Sequence, residues 1–299
     1  MSFSSEVKEE LCTLPLRDCC RVSLTYGMLE TGHAFGGANL SLQTENEAVA
    51  ALYKQTVTAV CGLASLREQR RDGGFFLLSV DNADDRRRVL ARFGHTPEDV
   101  SVRLNRANLE CEDCAAAYLR GAFLACGAVS NPESAYHLEF DVPHYRLSRD
   151  LLALLNEMGL HAKYINRKGG HVVYFKESEQ IEDCLTRMGA ANASLELMGV
   201  KMVKNIRNNA NRVTNCENAN IDKTVAASAA QVDAVKRILA AGSLDALPPD
   251  LRTLAALRLE NPELSLRELG EELAQRGEKL TRSGINHRLR RIMAFADKL

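Results

Sequence analysis

The length and composition of the chain are those of a folded protein of about two domains. It has 299 residues, of which 45% are hydrophobic and 26% are charged, and this balance excludes a disordered or low-complexity polypeptide. The net charge of −1 conceals an asymmetry. Residues 1–191 carry 21 Lys and Arg against 26 Asp and Glu, residues 192–247 carry 7 against 5, and residues 248–299 carry 10 against 8. A surface that binds a polyanion is therefore expected in the C-terminal third.

The sequence predicts a soluble, cytoplasmic protein with no membrane partner. No apolar run approaches the roughly 20 residues that a membrane-spanning helix needs. The first residues, MSFSSEVKEELCTLP, lack the charged start and apolar core of a signal peptide. The nine cysteines are an odd number in a long chain, which indicates reduced thiols rather than a disulfide framework.

One pattern of helices and strands occurs twice, at an offset of about 94–97 residues. In each copy a glycine pair lies between two alternating apolar runs, which is typical of a β-hairpin. The predicted order is helix, two strands, helix, two strands, helix, over about residues 15–95 and again over about 110–190. The alternative is an α+β domain with coincidental hairpins. In chain order the segments are 19–32, 40–44, 47–61 and 70–80, then 114–127, 137–141, 145–158 and 166–176.

Each copy has a glycine in the middle of its first helix, Gly27 in one and Gly121 in the other. Glycine inside a helix costs about 1 kcal/mol relative to alanine. That cost is reasonable where two helices approach backbone to backbone. We therefore expect these two helices to pack closely along the axis that relates the two halves.

The segment LRGAFLACG (119–127) resembles the motif of the LAGLIDADG homing endonucleases. The resemblance implies a carboxylate before the last glycine of each central helix, where the pair holds divalent metals. This chain has Cys126 there in one helix and Thr31 or Gly32 in the other, while Glu30 lies about 100–200° away around the helix. We expect the fold without the enzyme: no catalytic residue, no metal and no cofactor. The alternative is a divergent metal-dependent endonuclease.

The hairpins of the first domain carry local groups of basic residues: Arg67, Arg70, Arg71, Arg167 and Lys168. They are candidates for a DNA-facing surface, or they are solvated hairpin residues. The negative charge of the domain argues against strong DNA affinity. A third hypothesis for the whole chain is therefore an interaction module, in which this domain binds a protein partner and the DNA contact is secondary.

Residues 191–247 are predicted to form a helical linker. It contains seven asparagines between positions 205 and 220, although Asn is a poor helix former. Either the segment is a hydrogen-bonded elbow between domains, or it makes secondary contacts to phosphates. The candidates for those contacts are Lys201, Lys204, Arg207 and Arg212.

Three short helices are predicted after the proline pair Pro248-Pro249. The first is DLRTLAALRLENP, and the second, SLRELGEELAQRG, opens with the capping box of Ser265 and Glu268. The third is TRSGINHRLRRIMAFADKL. The arrangement resembles a helix-turn-helix unit over residues 248–299.

The last of these helices has the pattern of a DNA recognition helix. Ile285, Leu289 and Ile292 form an apolar stripe, and the opposite face is polar and basic. Arg reads guanine and Asn reads adenine in the major groove, while flanking cations neutralise phosphates. The alternative is an ordinary basic surface helix. The predicted contacts to double-stranded DNA are Arg267, Lys279, Thr281, Arg282, Ser283, Asn286, His287, Arg288, Arg290 and Arg291.

Three further stretches resemble the WhiA family: RGAFLACGAVSNPES, NRVTNCENANIDKTVAASAAQVDAVKRIL and SLRELGEEL with SGINHRLRRI. The order of parts is that of the family: a degenerate LAGLIDADG-like domain (1–190), an Asn-rich linker (191–247) and a helix-turn-helix domain (248–299). The resemblance implies a bacterial, nucleoid-associated DNA-binding protein. It acts in transcription regulation, in sporulation or in cell division and chromosome segregation. No small-molecule substrate is expected.

Four cysteines lie at the starts of the two central helices, as Cys19-Cys20 and as Cys111-x-x-Cys114. If the helices pack in parallel, the four thiols would converge in a way that suits Zn²⁺. The alternative is reduced cysteines near a helix start. The sequence leaves both open, and we expect no metal.

Overall fold

The structure, a computed structural model, describes residues 2–71, 73–167 and 169–299. Lys168, one of the basic hairpin candidates, lies outside the described residues. The chain forms two compact units, unit 1 (Met1–Lys204) and unit 2 (Asn205–Leu299). None of the helices among the described residues is both long enough and apolar enough to cross a bilayer.

Unit 1 contains the predicted repeat. Each half has one four-stranded antiparallel sheet, in which the first strand pairs with the second, the second with the fourth and the fourth with the third. The first half consists of α2 (Asp18–Glu30), β1 (Ala34–Phe35), β2 (Leu40–Thr44), α3 (Glu47–Cys61), β3 (Arg67–Arg70), β4 (Phe76–Ser79) and α4 (Ala83–Arg92). The second half consists of α5 (Cys114–Cys126), β5 (Gly127–Val129), β6 (Leu138–Val142), α6 (Tyr145–Glu157), β7 (Lys163–Arg167), β8 (Gly170–Phe175) and α7 (Ser178–Met188).

This order confirms the predicted α+β class and the predicted αββαββα pattern. The alternation in β6 places Leu138, Phe140 and Val142 in the core, as a strand with one buried face requires. The hairpins turn where the glycines were predicted to allow it, since Gly73 and Gly169 have φ of 91° and 84°.

One helix of unit 1 was not predicted. Helix α1 (Phe3–Cys12) precedes the first repeat, and the Ser2 hydroxyl accepts a hydrogen bond from the Ser5 amide at its start. It buries Phe3, Val7 and Leu11, which recur every four residues along one face. This apolar spacing is present in the sequence and is typical of an amphipathic helix.

The two central helices α2 and α5 pack at the glycines. A Cβ added at Gly27 would lie 2.3 Å from the Tyr118 carbonyl oxygen, and one added at Gly121 would lie 2.1 Å from the Leu24 carbonyl oxygen. Both distances are far below a van der Waals contact, so only glycine permits this approach. The predicted reason for the mid-helix glycines is confirmed.

Unit 2 is helical. Helix α8 (Ala191–Ala240) contains the Asn-rich segment, which is helical along its whole length. It is followed by a 3₁₀ turn (Leu244–Ala246), α9 (Pro249–Glu260), α10 (Leu266–Gln275) and α11 (Arg282–Ala296). The core of unit 2 joins the end of α8 to the last three helices. The boundaries at 190/191 and 247/248 remain predictions.

Candidate nucleic-acid interface

Two capped helices form the helix-turn-helix of unit 2. At the start of α10 the Ser265 hydroxyl accepts from the Glu268 amide at 3.3 Å, and the Ser265 amide donates to the Glu268 carboxylate at 2.7 Å. At the start of α11 the Thr281 hydroxyl accepts from the Gly284 amide at 3.2 Å. These bonds fix where both helices begin, and they use the oxygen of Thr281 as a cap.

Helix α11 has one buried and one exposed face, in the positions predicted from the sequence. Ile285, Leu289 and Ile292 are buried in the core of unit 2. The exposed face carries Ser283, His287, Arg290 and Arg291. Within the described part of the chain, His287 and Arg290 have no ion-pair or side-chain hydrogen-bond partner, so their polar atoms point to solvent. Their contact with DNA stays a prediction.

A cleft with a volume of about 610 Å³ lies beside the N-termini of α10 and α11. Four cations line it, and no acidic residue does among the described residues. Three of the lining residues, Arg267, Arg282 and Asn286, were predicted as DNA contacts. The remaining charged residues are Lys223 and Arg258, which the sequence analysis did not select. Helix N-termini and cations together favour a negatively charged ligand.

The arginines that line the cleft differ in their interactions with the rest of unit 2. Among the described residues, the partner of Arg267 is Glu271 alone, at 3.0 Å on the surface of α10. Arg258 is 2% exposed, and its Nη1 donates to the carbonyl oxygen of Leu264 at 2.6 Å, so it supports the connection between α9 and α10. It lines the cleft without presenting a free side chain. Lys223 lies on the exposed part of α8 and completes the basic lining.

Arg288 and Arg291 face acidic residues of unit 2. Arg288 donates to Glu278 at 2.7 Å and lies 3.5 Å from Asp250, with its side chain 20% exposed. Arg291 lies 4.0 Å from the same Asp250 carboxylate. Arg288 therefore anchors the middle of α11 to the first turn of α9 and to the turn that precedes α11. Lys279 is exposed in that turn.

The four linker residues predicted to contact phosphates lie in two different environments. Lys201 binds Glu179 at 2.7 Å and Glu182 at 3.2 Å, and its hydrogen bond lowers the pKa of Glu179 to about 2. Lys204 donates to the Pro132 carbonyl oxygen at 2.8 Å. These two lysines are thus engaged within unit 1. The other two, Arg207 and Arg212, are exposed on α8.

Among the described residues, no carboxylate pair lies at the C-terminal ends of the central helices α2 and α5, where the LAGLIDADG nucleases hold their metals. The Thr31 hydroxyl donates to the Gly27 carbonyl oxygen at 2.7 Å. Burial raises the pKa of Cys126 to about 12, which keeps it a thiol. Glu30 is fully buried and accepts hydrogen bonds from the hydroxyls of Tyr26 and Tyr118, both at 3.0 Å. Mg²⁺ requires hard oxygen ligands, and here the Thr31 hydroxyl and the Glu30 carboxyl are already engaged in hydrogen bonds within the helix pair.

Comparisons with known proteins agree with this architecture. Residues 210–296 match the WhiA C-terminal HTH domain, and residues 115–207 match the WhiA LAGLIDADG-like domain. A protein of Clostridium botulinum strain Hall, named "Probable cell division protein WhiA", is 37% identical over 319 residues, which cover 100% of this chain and 99% of the relative. The chain belongs to the WhiA family. Membership in the WhiA family confirms the resemblance found in the sequence.

Two further comparisons extend this result. A WhiA relative of the same name from Desulforudis audaxviator is 38% identical and covers 100% of this chain and 98% of the relative. The crystal structure of full-length DUF199/WhiA from Thermatoga maritima has a TM-score of 0.59 at 24% identity, with coverage of 100% and 99%. At that identity it establishes the shared WhiA fold.

Proposed function

We propose that this member of the WhiA family is a non-enzymatic protein that recognises specific DNA sequences through α11 and regulates transcription. The observation that carries the proposal is the division of α11 into a buried apolar face and an exposed face with His287 and Arg290. A helix in the major groove needs this arrangement, since donors must reach base edges while the other face holds the helix on its unit.

The basic cleft supports a second part of the same DNA interface, which contacts the phosphate backbone. Phosphate contacts set the position of a protein on a duplex, and helix N-termini with flanking cations are suited to them. Arg267 and Arg282 lie at the N-termini of α10 and α11, and Lys223 adds a cation from α8. We assign these three residues to the phosphate backbone and Arg290 to base edges.

The biological setting follows from the relatives. Those from Clostridium botulinum and Desulforudis audaxviator carry the name "Probable cell division protein WhiA". We infer that the genes controlled by this chain belong to cell division, chromosome segregation or sporulation, and that the protein works at the nucleoid. Genome-wide mapping of bound DNA tests this inference and supplies the binding site.

Binding to a mapped site tests the role of α11. Arg290→Ala is expected to weaken binding by roughly 1–3 kcal/mol, which is about 5- to 150-fold in Kd, and to relax preference at one base position. Fluorescence anisotropy with the site and with single-base variants measures both effects. Lys236→Ala, which removes an exposed cation of α8 outside the predicted contacts, is the matched control. If Arg290→Ala binds every duplex as the control does, α11 is not the recognition helix.

The absence of nuclease activity is part of the proposal and has its own assay. It is supported by Cys126 and Thr31, which take the positions of the metal-binding carboxylates, and by the enclosure of Glu30 between two tyrosines. Supercoiled plasmid incubated with the protein and Mg²⁺ or Mn²⁺ is expected to stay intact. Reproducible nicking that disappears in Glu30→Gln would establish a divergent endonuclease instead.

A further inference from the structure

Four cysteine thiols meet at the start of the central helix pair. The sulfur of Cys111 lies 3.6 Å from that of Cys19, 3.7 Å from that of Cys20 and 3.4 Å from that of Cys114. All four sulfur atoms lie within 4.8 Å of one another. Among the described residues this is the only group of three or more Cys, His, Asp or Glu side chains arranged to hold a metal ion. The set is called the thiol cluster below.

The spacing of the thiol cluster fits one metal geometry. In a tetrahedral Zn²⁺ site with Zn–S bonds of about 2.3 Å, neighbouring sulfurs are about 3.8 Å apart. The three separations from the Cys111 sulfur lie within 0.4 Å of this value. They are far longer than the roughly 2.05 Å of a disulfide. We propose that Cys19, Cys20, Cys111 and Cys114 bind one Zn²⁺ as a structural four-cysteine site.

The surroundings of the thiol cluster suit thiolate ligands. Zinc with four thiolates carries a net charge of −2, which needs compensation in a half-buried position. Helix α2 begins at Asp18 and α5 begins at Cys114, so the positive ends of two helix dipoles meet at the cluster. Burial lowers the pKa of Arg120, and electrostatic interaction with Cys20 opposes that change. The Nη1 of Arg120 is buried without a hydrogen-bond partner in the described chain, so this guanidinium group can still donate a hydrogen bond.

A zinc ion bound by the thiol cluster would cross-link the two repeats. Each repeat supplies two of the four ligands, and residues 20 and 111 are 91 positions apart. The thiol cluster lies at the N-terminal ends of α2 and α5. Thr31 and Cys126 lie at the opposite, C-terminal ends, where the LAGLIDADG nucleases bind their catalytic metals. Zinc in the thiol cluster would hold the helix pair together and take no part in hydrolysis. The proposal is independent of DNA binding by α11.

Metal analysis of the full-length protein tests the site. The protein is produced in zinc-supplemented medium and purified under reducing conditions without chelators. About one equivalent of zinc is expected in the wild type, and less than about 0.1 in Cys19→Ser or Cys111→Ser. Cys216→Ser, which changes an exposed cysteine outside the cluster, is the control and is expected to keep its zinc. Less than about 0.1 equivalent in the wild type would overturn the proposal.

A second measurement uses the wild type alone, because a cluster variant that loses its ligand set could also misfold. Co²⁺ added to the reduced, metal-free protein is expected to give the visible d–d bands and the sulfur-to-cobalt charge-transfer bands of a tetrahedral tetrathiolate site. Zn²⁺ is expected to remove both sets of bands at one equivalent. A cobalt spectrum without thiolate charge transfer would contradict the assignment. So would mass spectrometry showing a disulfide between Cys111 and Cys114 in the protein purified under reducing conditions.

Discussion

The Glu30 carboxyl is expected to make unit 1 less stable as the pH rises. Glu30 is fully buried between the central helices, where Tyr26 and Tyr118 donate hydrogen bonds to it. Burial raises its pKa from 4.5 to about 8, although the two hydrogen bonds act in the opposite direction. The variant Glu30→Gln has nearly the shape of the protonated side chain and does not titrate. It therefore isolates the contribution of the carboxyl proton.

The magnitude follows from proton linkage. Below pH 4.5 the carboxyl is protonated in both states, and its contribution to stability is fully present. Between 4.5 and 8 the folded chain keeps a proton that the unfolded chain has lost, so the free energy of unfolding falls as the pH rises. Each pH unit well inside this range is worth about 1.4 kcal/mol and less near either pKa, so the wild type is expected to lose about 3.5 kcal/mol relative to Glu30→Gln between pH 5 and pH 8.

Urea unfolding followed by circular dichroism at pH 5 and pH 8 measures this loss. The free energy of unfolding of Glu30→Gln, relative to that of the wild type, is expected to be higher at pH 8 than at pH 5. Glu98→Gln, which neutralises an exposed carboxylate, controls for the general effect of charge and is expected to show no such change. A difference for Glu30→Gln that is the same at both pH values would refute burial as the factor that controls this carboxyl.

The remaining predictions concern a helix contact, a buried cation and the basic cleft. Gly27→Ala is expected to lower the free energy of unfolding by about 3 kcal/mol because its Cβ would meet a backbone carbonyl at 2.3 Å. Gly199→Ala has open space and is expected to raise it by about 1 kcal/mol; thermal unfolding measures both. Arg258→Met leaves buried carbonyls without a donor and is expected to cost about 2 kcal/mol in urea unfolding. Arg282→Ala is expected to reduce the salt dependence of DNA binding by about one phosphate, whereas Lys236→Ala leaves it unchanged.

The fold was largely predictable because its signals are local. Glycine pairs between alternating runs specify hairpins, and the recurrence of the pattern about 96 residues later identified the repeat. Gly27 and Gly121 even indicated the helix contact, because a mid-helix glycine has few other uses. Helix α1 was not predicted, although its apolar spacing and its serine cap are local signals that the sequence contains.

The details of the candidate interface were less predictable because they depend on residues far apart in the chain. The sequence separated the two faces of α11, since helical periodicity alone determines them. It did not show that Arg288 is held by Asp250, 38 positions away, or that Lys223 lines the same cleft as Arg282. Lys223 and Arg282 share no local pattern, and only the packing of α8 on the later helices brings them together.

The central helix pair explains how unit 1 can keep a LAGLIDADG-like fold with Thr31 and Cys126 at the positions of the metal-binding carboxylates. The contact at Gly27 and Gly121 requires only close backbones and is independent of the side chains at the helix ends. One end of the pair can therefore hold soft thiol ligands while the other has Thr31 and Cys126 in place of hard oxygen ligands. Since a fold does not specify a function, the function of unit 1 has to be sought in particular sites, and we expect these on its outer surfaces. Surface substitutions in unit 1, scored for partner binding as well as DNA binding, are the direct way to locate it.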